Sequence, residues 1–197
     1  NAARIIAADT DKRRLGNLAP RAARQPMSAP LVPSPAGVYD VLVLGGGVSG
    51  SIAAIAAART GARVLLVEEH GFLGGSLTAM GVGPMMSFHN PSGEQVVRGI
   101  PDELIGRLQA RGASLGHIPD TTTYCSTVTP FDSEELKIEL ETMLTEAGGE
   151  ILFHTQLAAT ELADQEHHGD VRIKAHSTQG IEAVVKALVL HHDQRTF

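Results

Sequence analysis

The residues whose types and spacing can do chemistry lie early in the chain. Gly45, Gly47 and Gly50 stand as G-x-G-x-x-G within Gly45-Gly46-Gly47-Val48-Ser49-Gly50, and Glu68 and Glu69 come after them, at the separation of about 20 residues found in dinucleotide-binding turns. Each glycine has a mechanical job. The first permits a tight turn off a strand, the second lets backbone approach a pyrophosphate, and the third lets a helix pack closely on a sheet. Val48 and Ser49 sit at the start of that helix, where exposed N–H groups and a partial positive charge face the phosphates. A carboxylate at the tip of the next strand, Glu68 with Glu69 beside it, is expected to take the adenosine ribose hydroxyls in a two-pronged grip. The same charge repels a 2′-phosphate, which disfavours NADP relative to NAD or FAD. A second glycine pair, Gly74-Gly75 with Ser76 after it, exposes further N–H groups to a diphosphate or a polyol chain and favours the longer ligand, FAD.

These groups need elements to hold them. Asp40-Val41-Leu42-Val43-Leu44 is a short, nearly continuous apolar run, the pattern of a parallel strand buried on both faces. The Ala- and Ile-rich residues 51–60 favour a helix that Gly61 ends, and residues 63–67 form a second buried strand. Together they predict a β-α-β unit. Further on, Leu136, Leu140, Met143 and Leu144 recur at helical spacing, with Glu134, Glu135, Glu139 and Glu141 mostly on the other face. Asp132 or Ser133 can cap that helix and Gly148 can end it. A third parallel strand follows at 151–153. Residues 171–175 and 181–185 read as a hairpin turning at Thr178-Gln179-Gly180, and residues 187–190 as the next core strand.

The stretch DVLVLGGGVSGSIAAIAAARTGARVLLVEEHGFLGGSLTAMGVG resembles the N-terminal end of FAD-dependent oxidoreductases of the glutathione reductase type. It is most similar to the subgroup with the flavin subunits of heterodisulfide reductases. The resemblance resumes at Thr129-Pro130-Phe131-Asp132 and spans roughly residues 39–190. It implies an α/β, Rossmann-like FAD-binding domain with a parallel sheet and an antiparallel β crossover. Gly45, Gly47 and Gly50 would hold the pyrophosphate and Glu68 the ribose. Gly74, Gly75 and Ser76 would border the pyrophosphate and ribityl chain, and Gln156 and Leu157 would meet the adenine. It also implies a small-molecule substrate that exchanges a hydride with the flavin. In that family a Thr-Gly-Asp element follows the last strand, whereas this chain reads His191-His192-Asp193-Gln194-Arg195-Thr196-Phe197. The expectation is a domain incomplete at its C-terminal side after Leu190, completed by further chain or by a partner subunit.

Composition sets the outer bounds. A chain of 197 residues allows one domain of ordinary size, or one and part of another. Its single Cys, Cys125, excludes a disulfide framework, a multi-thiolate metal site and a redox-active cysteine pair within this chain. No metal is expected. No apolar run approaches the roughly 18 residues of a membrane span, and a net charge of -6 speaks against a nucleic-acid partner. A cytoplasmic location is expected. Residues 1–38 concentrate Arg4, Lys12, Arg13, Arg14, Arg21 and Arg24 against only Asp9 and Asp11, and with the prolines of 26–35 they read as a basic leader outside the fold. The expected division is the β-α-β unit at 39–78, a segment toward the substrate side at 79–128, a return to the nucleotide domain at 129–190, and a divergent tail at 191–197. Helical spacing of Leu104, Ile105 and Leu108 marks a helix within 101–111, and the rest of the middle segment reads as irregular. No catalytic residue is assigned. His89 and Arg98 are the groups there with acid–base or oxyanion chemistry, and His89 reads as a loop histidine. The pairs His167-His168 and His191-His192 have poor chelating geometry.

Overall fold

In the computed structural model, residues 34–163, 172–177 and 181–190 are described, with side chains over residues 38–157. The β-α-β unit forms as β1 (Ser34–Leu44), α1 (Val48–Arg59) and β2 (Val64–Val67). All four residues of β2 are buried, which is what a central parallel strand requires. Alternation along the two strands divides them between two faces. Val43, Val64 and Leu66 join the helix-side core with Ala54, Ile55 and Ala58 of α1, whereas Leu42, Leu44, Leu65 and Val67 pack together on the opposite face.

One six-stranded sheet runs in the order β6-β2-β1-β9-β8-β7. Its β6 (Glu150–Leu152), β2, β1 and β9 (Ile181–Leu190) are parallel, and β9 continues antiparallel through β8 (Arg172–Ser177) to β7 (Leu157–Ala163). Three boundaries differ from the sequence reading. The strands expected at 181–185 and 187–190 are one strand, because β9 pairs with β8 along one edge and with β1 along the other. β7 extends the expected hairpin into a meander. β1 begins at Ser34, inside the expected leader, since its backbone pairs with β9 from Ile181 onward, with an irregularity between Pro35 and Gly37. Backbone ladders need no apolar side chain, so this extension leaves no mark in the hydrophobic pattern. The rest of the leader, the turn at 178–180, the tail and both His-His pairs lie outside the described residues. Among the described residues no helix is long and apolar enough to cross a membrane.

α2 (Ile100–Ala110) and α3 (Ser133–Glu146) cover the helix-side core with Leu104, Ile105, Leu108, Leu136, Leu140, Met143 and Leu144, as their spacing predicts. Glu139, expected on the outer face, is instead buried, where Arg107 of α2 donates to its carboxylate at 3.1 Å. Asp132 is the N-cap of α3, accepting from the N–H groups of Glu134 and Glu135 at 2.8 and 3.2 Å. Gly148 follows with φ 84°, the left-handed turn that glycine makes without strain.

The middle segment is more ordered than its composition suggests. A three-stranded sheet, β3 (Met85–Met86), β5 (Thr127–Thr129) and β4 (Ile118–Pro119), runs in the order β3-β5-β4. His117 fastens it to α2. One ring nitrogen lies 3.1 Å from Asp102 Oδ1 and the other 2.8 Å from Thr129 Oγ1, while the ring stacks on Phe88 with centroids 4.2 Å apart. Gln95 donates to the same Asp102 oxygen at 2.7 Å. His89 sits edge-on to His117 and 3.3 Å from Thr127 Oγ1.

Two predictions follow from this packing. Leu66→Ala leaves a cavity among fully buried neighbours, and denaturant unfolding should register a loss of about 2–5 kcal/mol. The hydrogen bond from His117 is the main reason that the Asp102 carboxyl is held below the ordinary carboxylate value of 3.8. A carboxyl depressed on folding contributes stability above its unfolded pKa, and that contribution is lost as pH falls through the folded value. Asp102→Asn should therefore narrow the stability gap to wild type in the acid limb below about pH 4, measured as melting temperature against pH.

Candidate functional site

The C-terminal ends of β1 and β2 open into a cleft of about 480 Å³, the position where open α/β sheets hold ligands. The turn from β1 into α1 builds one wall. Gly45 has φ 96°, and its N–H donates to Val67 O of β2 at 2.8 Å. Gly47 is the N-cap of α1, with no side-chain cap and no acidic residue in the first turn. The N–H end of the helix is thus left to whatever enters the cleft, an arrangement suited to an anion.

The second glycine pair is docked on the first. Gly74 donates its N–H to Gly46 O at 2.8 Å and forms a parallel bridge with Gly47. A Cβ on Gly75 would lie 2.8 Å from Gly47 Cα, so a side chain there would force the two loops apart. Gly75, Ser76 and Leu77 form a short 3-10 turn that continues the wall toward Ala79 and Met80.

Glu68 is buried at 7% exposure, yet it lines the cleft. Its Oε2 accepts the Gly46 N–H at 2.6 Å. Its Oε1 accepts the His70 N–H at 2.8 Å and lies 2.8 Å from the ring Nδ1 of His70. A carboxylate has about four lone-pair positions, and three are committed inside the protein. The two-pronged grip on a ribose is therefore not available in this arrangement; one position on Oε2 remains. Glu69 is more exposed and is joined to the Gln156 amide across the cleft mouth. Glu68, Glu69 and His70 each bring a potential ligand atom within 4.8 Å of the others, but Glu68 already spends its oxygens on N–H groups.

Of the residues singled out by sequence, Gly45, Gly47, Val48, Ser49, Glu68, Glu69, Gly75, Ser76, Gln156 and Leu157 line this one cleft. Gly50 and Gly74 do not. Gly50 is buried in α1 and Gly74 faces the Gly46–Gly47 backbone. The residues not foreseen are Leu44, Val67, His70, Ala79, Met80 and Thr155, together with Gly46, which works from behind the wall. Position after a motif acid was the available signal for His70. Thr155 had none, because it arrives from the far end of β6, where its N–H donates to Glu68 O at 3.0 Å. His89, His117, Arg98 and Cys125 do not line the cleft. Arg98 Nε donates to Gln95 O, and the Cys125 thiol, unpaired, lies 3.2 Å from Thr127 O.

Residues 40–189 match the family of FAD dependent oxidoreductases. The chain is 41% identical over 76 residues to aklavinone 12-hydroxylase of Streptomyces peucetius, a match covering 38% of this chain and 14% of that protein. Among solved structures it resembles the THI4 protein of Thermovibrio ammonificans, with a TM-score of 0.53, 17% identity and coverage of 98% of this chain and 65% of that one. It also resembles NikD, an amino acid oxidase of nikkomycin biosynthesis, with a TM-score of 0.53, 16% identity and coverage of 81% and 52%. These structures share the fold, and the chain spans a small part of the length of its curated relative. A parallel sheet ending in interlocked glycine loops, matched over residues 40–189, makes this chain a member of the FAD dependent oxidoreductase family.

Proposed function

We propose that this chain is the FAD-binding part of an oxidoreductase in which a hydride passes between a small-molecule substrate and the flavin. The observation that carries the reading is the uncapped N-terminus of α1, framed by two glycine loops in direct contact and facing a cleft that ends in a buried carboxylate. FAD, when bound, supplies the two-electron acceptor, and the protein supplies position and electrostatics.

The residues fit that ligand. The N–H groups of Gly47, Val48 and Ser49 bind the pyrophosphate, and Gly45 provides the left-handed turn that aims them. Gly50 brings α1 against the sheet, which directs the helix end at the phosphates. Glu68 accepts from the adenosine ribose, with Glu69 beside it excluding a 2′-phosphate. Gly74 holds the two loops together, and Gly75 and Ser76 carry the wall along the ribityl chain. Gln156 and Leu157, past the end of β6, close the adenine end. Among the described residues no Lys or Arg lines the cleft, so oriented backbone N–H groups carry the neutralisation of the diphosphate.

The resemblance of the first glycine turn and of Leu73-Gly74-Gly75-Ser76 supports a place near the heterodisulfide reductase flavin subunits. A second reading, a dinucleotide-binding piece that depends on further chain or a partner subunit for its substrate side, is favoured by one observation. The lining of the cleft holds groups for binding the nucleotide, while the acid–base residues His89 and His117 are engaged in the small sheet.

The purified chain should take up FAD and turn yellow, with flavin absorbance bands after gel filtration. Gly47→Val should abolish that retention, because its side chain enters the pyrophosphate position. Circular dichroism of the variant checks that the sheet persists. A folded Gly47→Val protein with unchanged flavin content would refute the site, and a wild-type chain that takes up neither FAD nor NAD would refute both readings.

A further inference from the structure

We infer that His70 is a positioning residue of the cofactor site, acting through Glu68 so that the ribose meets one carboxylate oxygen rather than two. The inference rests on the FAD reading above and extends it to a residue outside the glycine motifs. The geometry has three parts. First, both oxygens of Glu68 are acceptors, since each receives a backbone N–H, from Gly46 and from His70. The ring nitrogen 2.8 Å from Oε1 must then be the donor, which fixes the imidazole tautomer with its proton on Nδ1.

Second, the ring is held independently of any ligand. His70 O accepts from His154 N–H at 3.2 Å, and the imidazole packs at 5.5 Å between centroids on Phe72, whose ring also lies 4.1 Å from the Lys137 ammonium of α3. The donor is placed by β6 and α3 before a nucleotide arrives. Third, the described lining of the cleft carries two carboxylates and no Lys or Arg, and the Gln156 amide donates to Glu69, whereas the His70 ring reaches Glu68. With Oε1 carrying two donors, the carboxylate cannot rotate to share both oxygens with a ribose. It presents the open position on Oε2 in one orientation, next to the Gly46 N–H that ties it to the pyrophosphate turn. Specificity for the ribose end is then set by the pair, with His70 choosing the orientation and Glu68 making the contact.

The test is a double-mutant cycle on FAD affinity, measured by flavin fluorescence titration of the apo chain for wild type, Glu68→Gln, His70→Ala and the combined variant. His70→Ala should weaken FAD binding about tenfold, the scale of one charge-assisted hydrogen bond. In the combined variant the loss should be no greater than in Glu68→Gln alone, because His70 acts only through the carboxylate. His70→Gln, which keeps a side-chain N–H donor, should remain within about twofold of wild type; it separates lost positioning from a damaged fold. Unchanged affinity in His70→Ala, losses that multiply in the combined variant, or a His70→Gln protein as weak as His70→Ala would each overturn the inference while leaving FAD binding intact. A wild-type chain with no affinity for FAD would overturn the cofactor reading itself, and the inference with it.

Discussion

A buried carboxylate is the constraint around which this cleft is arranged. Removing a carboxylate from water is costly unless hydrogen-bond donors replace the lost solvent, and Glu68 is 7% exposed. The donors come from both sides of the cleft, Gly46 from the β1–α1 turn and His70 from the loop after β2. Glu68 therefore holds the tips of adjacent strands at one spacing. Its burial also makes demands on its neighbours. A Cβ on Gly46 would stand 2.5 Å from Leu73 Cδ2 and 3.1 Å from the carboxylate itself. The middle position of the triple glycine, free in the motif G-x-G-x-x-G, is thus restricted here by what lies behind it. Leu73, fully buried, fills the space that a side chain on Gly46 would need.

The same arrangement lines the cleft with two kinds of group, helix N–H groups with no side-chain cap and two carboxylates with an imidazole. The first attract negative charge and the carboxylates repel it, with no basic side chain in the described lining. The glycine loops hold the wall between them through their mutual contact at Gly47, Gly74 and Gly75.

What the sequence reveals of this design follows the range of the interactions. β1, α1 and β2 carry their pattern locally, in apolar runs, a breaker-free Ala/Ile stretch and glycines at fixed offsets. The caps of α3 are local too, and Asp132 performs the job its type suggests. The residues that escaped notice act at long range or through backbone. Thr155 and the whole of β7 reach their places only through the six-stranded sheet, and β3 and β4 are two-residue strands that exist because β5 lies between them. Gly46 escaped because its role is a donated N–H and a missing Cβ. The acid at Glu68 was legible from its spacing, but its hydrogen bonds were not, since His70 contributes a ring that no motif specifies.

The middle segment is tied to the same frame by a different set of contacts. α2 shares the core of α1 through Leu104, Ile105 and Leu108, and its Glu103 accepts from Arg59 of α1 at 2.7 and 2.8 Å. Such exposed ion pairs contribute little on their own, about 0–1 kcal/mol, so the apolar contacts set the position of α2 and the charges refine it. From the first turn of α2, Asp102 reaches His117, and His117 reaches Thr129 in the centre strand of the small sheet. Thr129 is fully buried, and leaving its hydroxyl unpaired would cost about 1–3 kcal/mol. His117 is therefore occupied in satisfying a core hydroxyl and in linking the sheet to a helix that shares the core of α1. β3 leaves that sheet toward Ala79 and Met80 at the cleft. The chain running from the cleft into the middle segment thus takes its position from the core of α1 and α2.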